Sequence, residues 1–180
     1  MEQQFKPVHE ITIDKFIDDI LRLDRRYFSY TEFKGNFDLG AHPRIEELKE
    51  YLASQDLKNS PLIINYSILT GINASGLVLQ YLRSSHTDFT DANFYGANLS
   101  HGSFVESSFN KANLTDANFS DTLCSAADFR EATIAGADFT NSHVSPSILL
   151  SKDWKDAKLD AIVKDTAVKN VLDALSPSLL

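Results

Sequence analysis

Residues 87–146 read TDFTD ANFYG ANLSH GSFVE SSFNK ANLTD ANFSD TLCSA ADFRE ATIAG ADFTN SHVSP. Set out in fives, the third place is always apolar: Phe89, Phe94, Leu99, Phe104, Phe109, Leu114, Phe119, Cys124, Phe129, Ile134, Phe139 and Val144. Two residues before each stands something small, as at Ala92, Ala97, Gly102, Ser107, Ala112 and Ala117. Between them the residue is most often Asn or Asp. Twelve unbroken units cannot be coincidence, and such a repeat decides the architecture before any helix or strand is assigned.

Neither regular element tolerates this period. Five residues turn an α-helix by about 500°, so the Phe residues would not line one stripe. On a flat strand, odd steps would throw alternate Phe residues to opposite faces. A chain that turns a corner every five residues resolves the conflict. Each side points its small and its large apolar residue inward, four sides close a square coil of twenty residues, and coils stack at about 4.8 Å. A narrow bore holds one large side chain per side, which is why the other inward place is small.

This pattern resembles the pentapeptide-repeat family, A-(D/N)-(L/F)-x-x, over Thr87 to Pro146. The resemblance implies a mainly β fold, a right-handed quadrilateral β-helix. Leu123 in the Asn/Asp place and Cys124 in the large place depart from the pattern, as do Ser and Thr in several small places. The phase persists at Ser147-Ile148-Leu149, Lys152-Asp153-Trp154 and Ala157-Lys158-Leu159. The stretch from Ser145-Pro146 to Ala157 also resembles a closing segment of cyanobacterial members.

Four segments follow: an α-helical region over 1–60, a connector or degenerate first coil over 61–86, three full coils over 87–146, and a degenerate coil with a capping helix over 147–180. In the first, Ile13, Phe16, Ile17, Ile20, Tyr27 and Phe28 form an apolar stripe, with Asp14, Asp18, Asp19, Arg22 and Arg25 opposite. Pro43 suits the first turn of a second helix that buries Ile45, Leu48 and Leu52. Ser60-Pro61 suits a further helical start, and a helix-to-coil transition is favoured over an irregular coil for 62–84. A capping helix over roughly 158–175 buries Leu159, Ile162, Val163, Ala167, Val171, Leu172 and Leu175; such a helix covers an end that would otherwise expose backbone edges.

The 180 residues carry 17 basic and 25 acidic side chains, a net charge of -8, which disfavours direct nucleic-acid binding. No apolar run suits a membrane span. One cysteine, Cys124, fits a reducing, cytoplasmic setting, and its inward place makes it a buried, inert thiol. No phosphate loop, H-E-x-x-H or C-x-x-C occurs, so no cofactor, metal or catalytic residue is expected. Outward residues twenty apart should form ladders: His101, Asp121 and Asn141; Asp91, Lys111 and Glu131; Asn93 and Asn113; Asn98, Asn118 and Asp138.

A filled prism offers flat walls rather than a pocket, so a non-enzymatic interaction or scaffold module, with an unidentified protein partner or a weak homodimer, is the leading expectation. The family resemblance implies an alternative, an acidic DNA mimic that binds or inhibits a type II topoisomerase such as gyrase. Three coils span only about 15 Å at 4.8 Å each, which speaks against it. The wall built on Phe104, Cys124 and Val144 is distinctive, with Val105, Glu106, Leu123, Ala126 and His143 outward. Leu123 turns an apolar side chain outward, so this wall is expected to be covered by a partner, a second copy or residues 1–60.

Overall fold

In the computed structural model, which describes residues 9–35 and 37–160, the chain winds as a four-sided solenoid. Each side contributes a parallel bridge to the level above and below, mostly twenty residues apart. One wall stacks Tyr27, Ile63, Arg83, Ser103, Leu123 and His143; the next stacks Glu10, Glu32, Ile68, Asp88, Ser108 and Asp128. The third stacks Asp38, Asn73, Asn93, Asn113, Thr133 and Lys152, and the fourth Val78, Asn98, Asn118, Asp138 and Lys158. Three walls are thus six levels tall, about 24 Å from first to last at 4.8 Å per step, and the three-coil length is too short by half.

The repeat works through its corners. The residue two after the large one adopts positive φ, at Asp91 (59°), Glu106 (57°), Lys111 (60°) and Asp121 (58°) among others. At most corners the next backbone N–H then donates back across the turn, as Ala92 N to Phe89 O (3.0 Å) and Ala112 N to Phe109 O (3.0 Å). The Asn or Asp holds the turn from outside: Asn93 accepts from Tyr95 N (3.1 Å), Asn118 from Ser120 N (2.9 Å) and Asp138 from Thr140 N (3.0 Å). Hydroxyls in the small place supply another closure. Thr87 N donates to Ser107 Oγ (3.2 Å), and Thr87 Oγ1 reaches Ile64 O (2.8 Å).

Segment 62–84 is not a helical transition; it makes the same bridges as the later coils. Its inward sizes are exchanged rather than lost. Ile72 and Leu82 fill the small place while Ala74 and Ser84 take the large one, and all four are buried. One level below Leu82 and Ser84 the exchange reverses: a Cβ on Gly102 would lie 2.6 Å from the Phe104 ring. Elsewhere in the segment both places are large, Leu62 with Ile64 and Leu77 with Leu79, and all four are buried.

The first 60 residues are likewise not a separate helical region. Strand β1 (His9–Ile11) pairs in parallel with β2 (Thr31–Phe33), and residues 26–39 supply three sides of the top coil. Helix α1 (Ile13–Leu23) begins at Thr12, whose side chain accepts from Lys15 N. It lies over that coil, with the Phe16 ring 4.7 Å from Phe28, 5.3 Å from Phe33 and 5.6 Å from Phe37. Helix α2 (Ile45–Ser54), preceded by Pro43, buries Leu48 and Leu52. Those two line one small apolar cavity with Leu62, Leu77, Leu79 and Leu82. Tyr27 is exposed rather than in the α1 stripe, and Ser60-Pro61 leads straight into the coil. Arg26, 5% exposed, ties the parts together: it donates to Asp24 (2.8 Å), Tyr51 Oη (3.0 Å) and Gln55 (3.0 Å).

Asp19 is buried beneath α1, not on its solvent face, and pairs with Lys15 and with Arg25 Nη1 (2.9 Å). Burial alone would raise its pKa; the hydrogen bonds and charges of Lys15 and Arg25 outweigh that and hold it below the usual aspartate value. Because the folded value is the lower one, this pairing stabilises the fold above the unfolded pKa of about 3.9. That contribution fades as pH falls through the folded value. Asp19→Asn should therefore cost about 1–2 kcal/mol at neutral pH. It should also flatten the loss of stability on acidification, as followed by urea melts at a series of pH values.

At the other end, strands β3 (Leu123–Cys124) and β4 (His143–Val144) continue the stack, and 3-10 turns at Pro146–Leu150 and Trp154–Asp156 make the last coil irregular. Lys158 still bridges Asp138, so the capping helix does not begin there; its remaining residues, 161–175, lie outside the described ones.

Candidate interaction wall

The large inward residues from Phe89 through Phe139, Cys124 included, are all at most 1% exposed, whereas Val144 is half-buried where the stack becomes irregular. Phe109 stacks between Phe89 (5.2 Å) and Phe129 (5.3 Å). Burial pushes the Cys124 thiol up to about 12, which makes it a packing group and not a nucleophile. Among the described residues no three His, Cys, Asp or Glu side chains gather as a metal would need. Among the same residues no helix is long and apolar enough to cross a membrane.

The ladders differ in how they are held. Asn113 donates to Asn93 (3.2 Å), Asn93 to Asn73 (3.1 Å) and Asn73 to Asp38 (2.7 Å), a chain of amides up the third wall. Asn98, Asn118 and Asp138 share a column, but Asn98 and Asn118 turn their oxygens to their own corners. Asp138 also accepts from Lys158 (3.1 Å). Asp91, Lys111 and Glu131 occupy a common corner column with no ion pair closing between them.

The first wall carries the most distinctive surface. Val105 is half-buried; Glu106, Leu123, Ala126 and His143 are exposed, Leu123 at 47%. Leu123 lines a groove on this wall with Lys58, Pro61, Tyr81, Arg83 and His101, while α1 and α2 pack against the end of the bore. Two ladders flank the wall: the expected column of His101, Asp121 and Asn141, extended upward by Tyr81, and a second that the twelve units alone do not reveal. At one corner the rings of Tyr30 and Tyr66 stack at 5.0 Å, Tyr66 and His86 at 4.6 Å, and His86 Nδ1 lies 3.3 Å from Glu106. At the other, Tyr81 stacks on His101 at 4.9 Å, His101 Nδ1 lies 3.9 Å from Asp121, and Asn141 donates to Asp121 (3.2 Å). With exposed Tyr27 at its top, the wall gathers four of the six tyrosines and three of the five histidines. The signal was present at Tyr81, His86 and His101 every twenty or five residues, but became visible only once 62–84 was seen to be coil.

The description of pentapeptide repeats matches in eight copies over residues 67–104 and 107–145. Among solved structures, the chain is similar to a pentapeptide repeat protein from the Arabidopsis thaliana thylakoid lumen. Identity is 24% over 56% of this chain and 74% of that one, with a TM-score of 0.30. It is also similar to QnrB1, a plasmid-mediated fluoroquinolone resistance protein, at 16% identity over 79% of this chain and 81% of that one, with a TM-score of 0.32. No curated protein matches it. The five-residue phase, the twenty-residue bridges and the matched repeats together show that residues 67–145 are built of pentapeptide repeats.

Proposed function

We propose that the chain is a non-enzymatic interaction module that engages a protein through the wall of Leu123. The observation that carries this is an exposed leucine set between two aromatic–histidine ladders, where over residues 88–138 the centres of the other walls are Asn, Asp, Ser or Thr. Tyrosine supplies contact area at low entropic cost, and interface centres are enriched in it. The fold's bore is filled, so its surfaces are walls. A reducing cytosol, suggested by the single cysteine, and a cyanobacterial-type origin belong to the same proposal.

Mimicry of DNA for a topoisomerase such as gyrase is the second reading, favoured by acidity and by the extra coils. Charge density weighs against it. Residues 9–11, 26–39 and 61–160, which form the bridged levels, hold fourteen acidic and eight basic side chains, a net charge of -6. A duplex as long as the 24 Å stack would carry about 14 negative charges at one per 1.7 Å. Some carboxylates are also already paired, as Asp128 with Arg130 (2.7 Å) and Asp138 with Lys158.

Two assays decide. A photo-crosslinker placed at position 123 should give protein adducts in cells of the native host, and one at Ser108 on the second wall should not. Equal labelling from both positions would overturn the wall assignment. Gyrase supercoiling should proceed unaltered with the purified protein present. Inhibition that disappears on Asp-to-Asn changes would place mimicry first.

A further inference from the structure

The first wall is complementary to itself. Read from corner to corner, its levels carry Pro61, Ile63 and Tyr66; Tyr81, Arg83 and His86; His101, Ser103 and Glu106; then Asp121, Leu123 and Ala126. The upper half is apolar or basic. The lower half supplies carboxylates and the exposed leucine. We propose that the occupant of this wall is a second copy of the chain, packed face to face and antiparallel about a two-fold axis midway between the Arg83 and Ser103 levels. This rests on the wall being the contact surface.

The axis is chosen by the residues it brings together. A two-fold in the interface plane and perpendicular to the stack keeps each corner opposite the same corner and inverts the levels. His86 then faces the partner's Glu106, and Ile63 faces the partner's Leu123. Tyr66 meets the partner's Ala126, Tyr81 meets the partner's His101, and Tyr27 lies over the partner's His143. His86 already sits 3.3 Å from its own Glu106, so two imidazoles and two carboxylates alternate around the axis. Other registers fail. Centring the axis on Ser103 sets Glu106 against its own copy, and a parallel arrangement sets Arg83 against its own copy; like charges opposed across a contact disfavour both. The contact is isologous and closes at two chains. A wall about 24 Å tall and about 10 Å wide lies well below the roughly 800 Å² per partner of a stable complex. The dimer is therefore reversible, forming as concentration rises.

The test uses singly substituted full-length chains, Ile63→Cys and Leu123→Cys, each carrying Cys124→Ser. Serine is nearly isosteric with cysteine, and Thr122 Oγ1, 3.3 Å from the Cys124 sulfur, can pair with its hydroxyl. Treated with a short bis-maleimide, a mixture of the two should cross-link at least tenfold more than either alone, because like positions lie three levels apart. Equal yields from the mixture and from either chain alone would overturn the register. A chain that stays monomeric in sedimentation at its highest soluble concentration would overturn the second copy as occupant. In that event adducts from the photo-crosslinker at position 123 to another protein would leave the interaction reading standing, and their absence would sink both.

Discussion

Phe109→Ala is expected to cost about 3–5 kcal/mol, the range for truncating a fully buried aromatic. The ring sits at the centre of the Phe89–Phe109–Phe129 stack and also meets Phe94, Phe104 and Phe119 edge-on at 5.5–6.1 Å. Its removal leaves a cavity that two neighbouring coils cannot both close, since each is fixed by backbone bonds to the next. A fall in Tm of about 10 °C is the corresponding reading. A change within error would mean that the bore is not the seat of stability.

The second large effect comes from adding volume. Ala117→Leu should destabilise by about 1–3 kcal/mol or more, because Ala117 is fully buried in the small inward place and its N–H closes the corner at Leu114 O (3.0 Å). The same change at Ala135, on the outside of a corner, should stay within about 0.5 kcal/mol. Comparing one chemical substitution at two positions isolates direction from composition. Equal melts for the two variants would contradict the inward and outward assignment.

Those two predictions follow from residues whose places were legible in the sequence, because the Ala-Asn-Phe units carry both phase and size. What escaped was where size and phase part company. In 62–84 the leucines and isoleucines stand where alanine is usual, and Ile63, Ile68, Val78 and Arg83 replace Asn or Asp. The stretch therefore resembles apolar helix more than coil, although its inward residues are buried in the bore. The top coil was hidden differently. Tyr27 bridges Ile63, Glu32 bridges Ile68, and Asp38 bridges Asn73, at separations near 36 instead of 20, because α2 is inserted before the fourth side. No search at a period of twenty finds such partners. Of the wall, Leu123 stood out as the one aliphatic residue in the Asn/Asp places of 87–146. Its setting did not, since Tyr66, Tyr81 and His86 belong to the coil that was misread.

These omissions bear on function. Three coils would have given a wall with one unusual leucine, whereas six levels give Leu123 an aromatic border and a complementary upper half around Ile63 and Arg83. The added coil over 61–86 holds no acidic residue, which is why the longer stack favours a contact surface over an imitation of DNA.

Leu123→Lys tests that contact surface most directly. Leu123 is outward and its backbone bonds do not depend on its side chain, so the variant should melt within about 0.5 kcal/mol of wild type. Sedimentation velocity over a concentration series should show the wild-type chain passing from monomer toward dimer while the variant stays monomeric. If wild type and variant give the same curve, the wall that carries Leu123 is not where this protein makes its contact with a second copy.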